Sequence, residues 1–122
     1  PEDLIITSAK IKGVITSKEI IDKKQSDFIK RKKTSQPSHI KTCGSTFKNI
    51  SEDKKAWMLI KEAGCENFKV GDASISQKHC NFFINNGNAK SADIENLIKK
   101  VKKKVHEKTG ENLELEIKII GD

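Results

Sequence analysis

The sequence predicts an α+β fold, a small mixed or antiparallel sheet with about three helices packed on it. Three observations lead there. Apolar residues recur at helical spacing in three separate stretches and alternate in several others. The order strand, helix, loop, helix, short strands, helix, strand is not the regular alternation a parallel βαβ sheet requires. The chain has 122 residues, one domain's worth, long enough to bury a core without staples.

Residues 3–13 alternate as a strand, Leu4, Ile6 and Ser8 against Ile5, Thr7 and Ala9, ending at Gly13. Residues 17–33 read as a helix with Ser17 at its N-cap, Glu19 and Asp22 in the early turns, a narrow stripe of Ile20, Ile21, Phe28 and Ile29, and basic residues at its end. Residues 34–44 have no period, and Pro37 forbids a helix interior, so they form a loop long enough to carry a function. Residues 45–49 are a short extended or turning segment.

Ser51-Glu52-Asp53 opens a second helix with Ala56, Leu59, Ile60 and Ala63 on its apolar face, Trp57 flanking it, and Gly64 as its stop. Short strands follow at 68–70, 73–76 and 80–85, and Asn86-Gly87 is a turn. Ser91 caps the third helix, whose Ile94, Leu97, Ile98, Val101 and Val105 make the clearest amphipathic face in the chain, with Gly110 past its end. Residues 113–120 form a last strand, with Leu113, Leu115, Ile117 and Ile119 on one face and Glu114, Glu116 and Lys118 on the other.

The bulk numbers exclude several classes of function. No apolar run approaches the roughly 18 residues of a membrane span, and no positively charged leader precedes an apolar stretch. The net charge of +7 suits an anionic ligand, yet the 24 basic residues include one arginine, Arg31, and most lysines lie on helix faces near glutamates, as on a solvated surface. With six aromatics and no tyrosine, the chain is poor in the stacking residues of a single-strand nucleic-acid reader. A non-enzymatic basic module that binds nucleic acid or another partner is nevertheless the alternative reading. Cys43, Cys65 and Cys80 are odd in number and lack a C-x-x-C pair, which argues against structural zinc and a disulfide framework and fits a reducing, cytoplasmic setting. The opening Pro1-Glu2-Asp3, with no initiator Met, reads as a piece cut from a longer protein.

Chemistry concentrates in Gly44-Ser45-Thr46-Phe47-Lys48-Asn49, which sets a hydroxyl, a cation and a carboxamide within six residues. A serine can be a nucleophile beside a base, or a proton donor where a carbanion forms; a turn or cap hydroxyl is the simpler reading when Ser45 is taken alone. Lys48 suits phosphate, and Asn49 can hold two groups at once. Glu116 would share proton duty if buried near a reacting carbon; on pattern alone it is equally a solvated strand glutamate. His79-Cys80-Asn81 sits between apolar pieces, without the second pair of ligands a metal needs. No P-loop or glycine-rich dinucleotide fingerprint is present.

Taken in order, Gln36-Pro37, Gly44 to Asn49, Ala63-Gly64, Val70-Gly71-Asp72-Ala73, Ser76-Gln77-Lys78-His79-Cys80-Asn81-Phe82, Asn85-Asn86-Gly87-Asn88-Ala89 and Leu113 to Gly121 resemble the C-terminal part of the UDP-N-acetylmuramate dehydrogenases, also called UDP-N-acetylenolpyruvoylglucosamine reductases. The resemblance implies a flavoenzyme of peptidoglycan precursor synthesis. In that family FAD is reduced by NADPH, hydride passes to the enolpyruvyl group of UDP-N-acetylglucosamine enolpyruvate, and a serine protonates the product carbanion. It implies Ser45 as that serine, Glu116 as its assisting carboxylate, and Asn49, His79 and Lys33 as substrate-binding residues. It further implies that residues 1–15 are a remnant strand of the preceding FAD-binding region and residues 16–122 the substrate-binding domain. The flavin site and the arginine that grips the substrate carboxylate then lie before Pro1, so the piece alone is expected to hold no cofactor and to be inactive. Ile50 stands where a proline is common, Asp72 where a second glycine is common, and Ser35 where a threonine or lysine is found.

Overall fold

Two tight turns and two breaks in register, one between β1 and β4 and one between β3 and β4, shape the sheet. Gly71-Asp72 turns β2 (Lys69–Val70) into β3 (Ala73–Ser76), and Gln77-Lys78 turns β3 into β4 (His79–Asn85). β1 (Lys41–Ser45) pairs with the other side of β4, so the four strands lie in the order β1-β4-β3-β2 with every neighbour antiparallel. The expected α+β class is what the computed structural model has; it describes residues 5–37 and 40–121.

The β1–β4 pairing is not regular. Thr42 is opposite Ile84 and Ser45 opposite Phe82, so Cys43 and Gly44 together face one residue of β4. Gly44 supplies that bulge at φ +87°, a conformation glycine adopts without strain, and its N–H donates to Thr42 Oγ1 at 3.2 Å.

Two helices cover the sheet. α2 (Ala56–Glu62) buries Ala56, Leu59 and Ile60, and α3 (Ser91–Thr109) buries Leu97, Ile98, Val101 and Val105. Phe47, Ala73, Ile75 and Phe83 meet them from the sheet side, with Cys65 and Leu113 filling the ends of the core. The Phe47 and Phe83 rings meet edge to face at 5.7 Å. The apolar faces expected of these two helices are therefore the buried ones. α3 stops at Gly110, whose φ of +75° lets its N–H reach the His106 carbonyl at 2.9 Å.

The chain divides into two compact units, Pro1–Arg31 and Lys32–Asp122. α1 (Lys18–Ser35) begins in the first, where Ser17 Oγ accepts the Ile20 N–H at 3.4 Å as the expected cap. None of its residues is buried.

Several expected elements differ. Residues 5–13 of the expected first strand form no strand and are exposed, and residues 3–4 lie outside the described segments. Alternation signals a half-buried strand, but a strand also needs a neighbour for its backbone groups, and among the described residues none pairs with these. The expected loop at 34–44 is shorter, because α1 runs through Ser35 and β1 starts at Lys41; Ser38 and His39 lie outside the described residues. Ser51 does not open α2. Its hydroxyl accepts the Lys54 N–H at 3.0 Å, closing a turn one step earlier. Ser91 is the first residue of α3 rather than its cap, and Asp93 reaches back to accept the Lys90 N–H at 2.9 Å. The expected last strand at 113–120 reduces to one antiparallel bridge, Leu115 with Phe47, flanked by Lys48 N–H to the Glu114 carbonyl and Glu116 N–H to the Thr46 carbonyl, both at 2.9 Å. Leu113, Leu115 and Ile117 do face the core, whereas Ile119 and Ile120 are exposed.

Candidate functional site

Ser45 ends β1 immediately after the bulge, and a buried carboxamide fixes the residues that follow it. Asn81 Oδ1 accepts the Phe47 N–H at 3.0 Å, Asn81 Nδ2 donates to the Phe47 carbonyl at 2.8 Å, and the Asn81 carbonyl accepts the Thr46 N–H at 2.8 Å. Asn81 thus acts as a strand partner through its side chain, and it is buried among groups that satisfy it. The bulge and this clamp together set where Ser45 sits.

Glu116 approaches the same turn of chain through its backbone, bonding to the carbonyl of Thr46, the residue after Ser45. The two candidate residues are therefore neighbours at the backbone level despite the length of chain between them. The Glu116 side chain is exposed.

Lys48 and Asn49 continue past the serine. The Lys48 ammonium lies 3.4 Å from a Glu114 carboxylate oxygen, both ends exposed, an arrangement worth under about 1 kcal/mol. Asn49 Oδ1 accepts the Ala56 N–H at 3.1 Å, which ties this loop to the start of α2. Asn49 lines a shallow hollow with Lys48, Glu111, Asn112 and Glu114.

His79 lies elsewhere on the surface of the sheet. Its Nδ1 accepts the Asn81 N–H at 3.3 Å, which leaves the proton of the neutral ring on Nε2. Burial pushes its pKa below the ordinary imidazole value. The ring meets Phe82 at 4.8 Å and the Trp57 indole at 6.5 Å, both edge to face. Phe82 is also the β4 partner of Ser45, so one residue relates the serine to the histidine. His79, Trp57, Lys61, Lys78 and Glu66 line a cleft of about 480 Å³. Lys33, exposed on the last turn of α1, offers its backbone carbonyl to the Lys78 ammonium.

The structure accordingly groups Ser45 with Glu116 through the backbone, and Lys33 with His79 through Lys78, while Asn49 lines a different hollow. Sequence reasoning marked Asn81 only as part of the polar cluster His79-Cys80-Asn81, without a role, and passed over Lys61 and Lys78 as site elements. Lys61 stands four residues after Trp57 on α2, a spacing that puts both on one face and was there to be used. Asn81 left no local signal, since its partner is 34 positions away. Among the described residues no group of three or more His, Cys, Asp or Glu side chains is placed to hold a metal ion, and no helix is long and apolar enough to cross a membrane.

Residues 36–120 match the family model described as UDP-N-acetylenolpyruvoylglucosamine reductase, C-terminal domain. A UDP-N-acetylenolpyruvoylglucosamine reductase from Pelagibacter ubique is 49% identical over 121 residues, covering 98% of this chain and 40% of the relative. One from Gluconobacter oxydans is 42% identical, covering 99% of this chain and 39% of the relative. Among solved structures, the crystal structure of UDP-N-acetylenolpyruvylglucosamine reductase from Thermus caldophilus superposes with a TM-score of 0.69 at 35% identity, covering 84% of this chain and 35% of that one. The chain spans about 40% of the length of the curated relatives it matches.

Proposed function

The chain belongs to the family of UDP-N-acetylenolpyruvoylglucosamine reductase C-terminal domains, and on that premise we propose that it is the substrate-binding and proton-donating part of a flavoenzyme that reduces UDP-N-acetylglucosamine enolpyruvate to UDP-N-acetylmuramate with NADPH, in the cytoplasmic synthesis of peptidoglycan precursors. In this reading residues 1–15 are the remnant of a preceding flavin-binding region and residues 16–122 the substrate-binding domain, and the enzyme's other domains are its working partner.

The observation that best supports the reading is the setting of Ser45 inside the matched region. It follows a bulge only glycine enters easily, it is succeeded by a clamped backbone, and Glu116 is bonded to the next residue. The reduction adds a hydride and a proton across the enolpyruvyl double bond. The hydride comes from outside this chain, and the Ser45 hydroxyl gives the proton to the carbon that gains negative charge, with Glu116 assisting once the full enzyme shields it from water. Asn49, His79 and Lys33 bind the substrate, and the basic surroundings suit its diphosphate.

In this reading flavin and NADPH are held by the parts of the enzyme outside this chain. Nothing in the fold or the comparisons favours the nucleic-acid alternative.

The test is the full-length enzyme carrying Ser45→Ala. Its flavin should still be bleached by NADPH at the normal rate, while reoxidation by the enolpyruvyl substrate slows by a factor on the order of 10² to 10⁴. Normal reoxidation would remove Ser45 as the proton donor.

A further inference from the structure

A second cavity lies on the other side of the sheet from Ser45. Ser45 stands opposite Phe82 and shares its face, whereas Phe83, the next residue of β4, points into the core under the helices. On the Phe83 side a cavity of about 430 Å³ opens between β1, the start of α3 and the segment at Ile117. Phe83, Ile94 and Ile117 give it an apolar floor. Its charged residues are Lys41 and Lys90; no carboxylate lines it, and neither lysine makes an ion pair among the described residues. Thr46 also lines it, is 2% exposed, and has no hydrogen-bond partner for its hydroxyl among the described residues. Since no fully enclosed side-chain oxygen or nitrogen there lacks a partner, the little access Thr46 keeps is at that hydroxyl, and it is access to the cavity.

The polar groups stand at two ends. Lys41 is opposite Asn85, whose carboxamide donates to the carbonyl of Ala89, the neighbour of Lys90, so both cations belong to one end. Thr46 is fixed at the other, its N–H donating to the Asn81 carbonyl and its own carbonyl accepting the Glu116 N–H. The strand from Lys41 to Thr46 spans at most about 16 Å and the lysines reach inward, so a chain of about ten carbons bridges the two ends. Uncompensated cations, an apolar floor and an idle hydroxyl in that order match an elongated anion: burying its body supplies affinity, and the two polar ends fix its direction. We propose that this cavity binds a medium-chain carboxylate with a hydrogen-bonding group at its far end, the carboxylate on Lys41 and Lys90 and the far group on the Thr46 hydroxyl. The site is separate from the cleft at His79 and goes beyond the substrate-binding reading.

The probe is 10-hydroxydecanoate, titrated by calorimetry into the 122-residue chain and into the full-length enzyme. Saturable one-to-one binding is expected in both, unchanged by UDP-N-acetylglucosamine. Decanoate, which lacks the terminal hydroxyl, should bind about three- to tenfold more weakly. Thr46→Val should erase that difference and Thr46→Ser should keep it, with circular dichroism confirming that each variant folds. The double variant Lys41→Gln with Lys90→Gln, both at exposed positions, should weaken the two acids about tenfold at low salt and leave 1,10-decanediol unchanged. A preference for the terminal hydroxyl that survives in folded Thr46→Val overturns the proposal, and so does unchanged acid affinity in the lysine variant. No heat from either acid at millimolar concentration overturns it as well. Binding to the 122-residue chain that disappears in the full-length enzyme would mean that another part of the enzyme fills the cavity, and competition by UDP-N-acetylglucosamine would put the acids in the substrate cleft; either result ends the proposal and leaves the substrate-binding reading intact.

Discussion

At the scale of single residues, Asn81 has the largest structural burden for its size. Its carboxamide satisfies both backbone groups of Phe47, and its own carbonyl satisfies Thr46. Those are the two residues directly after Ser45, so the side chain of one strand fixes the backbone of the segment that carries the proposed acid. Removing the carboxamide leaves a buried N–H and a buried C=O without partners, each costing about 1–3 kcal/mol. Asn81→Ala should therefore lower unfolding stability by about 2–4 kcal/mol, read from urea denaturation midpoints at constant m-value. A loss below about 0.5 kcal/mol would show that water replaces the carboxamide at no cost and that the clamp is not what holds Ser45. Cys65, by contrast, is plain core: burial pushes its thiol up to about 11, which keeps it protonated and unreactive at neutral pH.

At the scale of elements, periodicity disclosed what packing requires and little else. The apolar stripes of α2 and α3 are the faces that bury, because a 3.6-residue repeat with no competing pattern leaves one side to turn inward. Alternation misled fully at 5–13 and in part at 113–120, where the apolar face is right but pairing stops at one bridge. It states which face a strand would bury, not whether a partner exists, and the partner is a property of the rest of the fold. The Ser45–Glu116 proximity was legible only through the family resemblance, and the Asn81 clamp not at all, since no local pattern marks a bond to a backbone 34 residues away. One junction between elements tests how tightly they are fitted. A Cβ on Gly71, at φ +52°, would fall 2.8 Å from the carboxylate of Asp93, the group that accepts the Lys90 N–H at the start of α3. Gly71→Ala should then cost about 1–2 kcal/mol for the left-handed backbone and about 1 kcal/mol for the displaced cap. In guanidinium denaturation the double variant Gly71→Ala with Asp93→Ala should lose less than the sum of the single losses; strict additivity would mean the turn and the helix start are not coupled.

At the scale of the whole molecule, stability resides in one of the two units. Every residue of the core cluster lies between Phe47 and Leu113, inside Lys32–Asp122. The described residues of the other unit, Pro1–Arg31, contribute nothing to that cluster: Ile5, Ile6, Ile11, Val14 and Ile15 are nearly fully exposed, and Ile20, Ile21, Phe28 and Ile29 of α1 are about half exposed or more. Apolar area that stays in water adds nothing to the folding free energy, since the hydrophobic contribution scales with area removed from solvent. A chain beginning at Lys32 should therefore melt within about 2–3 °C of the 122-residue chain by scanning calorimetry, a difference under about 1 kcal/mol at this size. Its unfolding enthalpy should fall by less than the shortening of the chain in proportion would give, because the deleted residues bury little. A drop of 10 °C or more would mean that residues of Pro1–Arg31 carry part of the core's stability, and the division of labour between the two units would have to be redrawn.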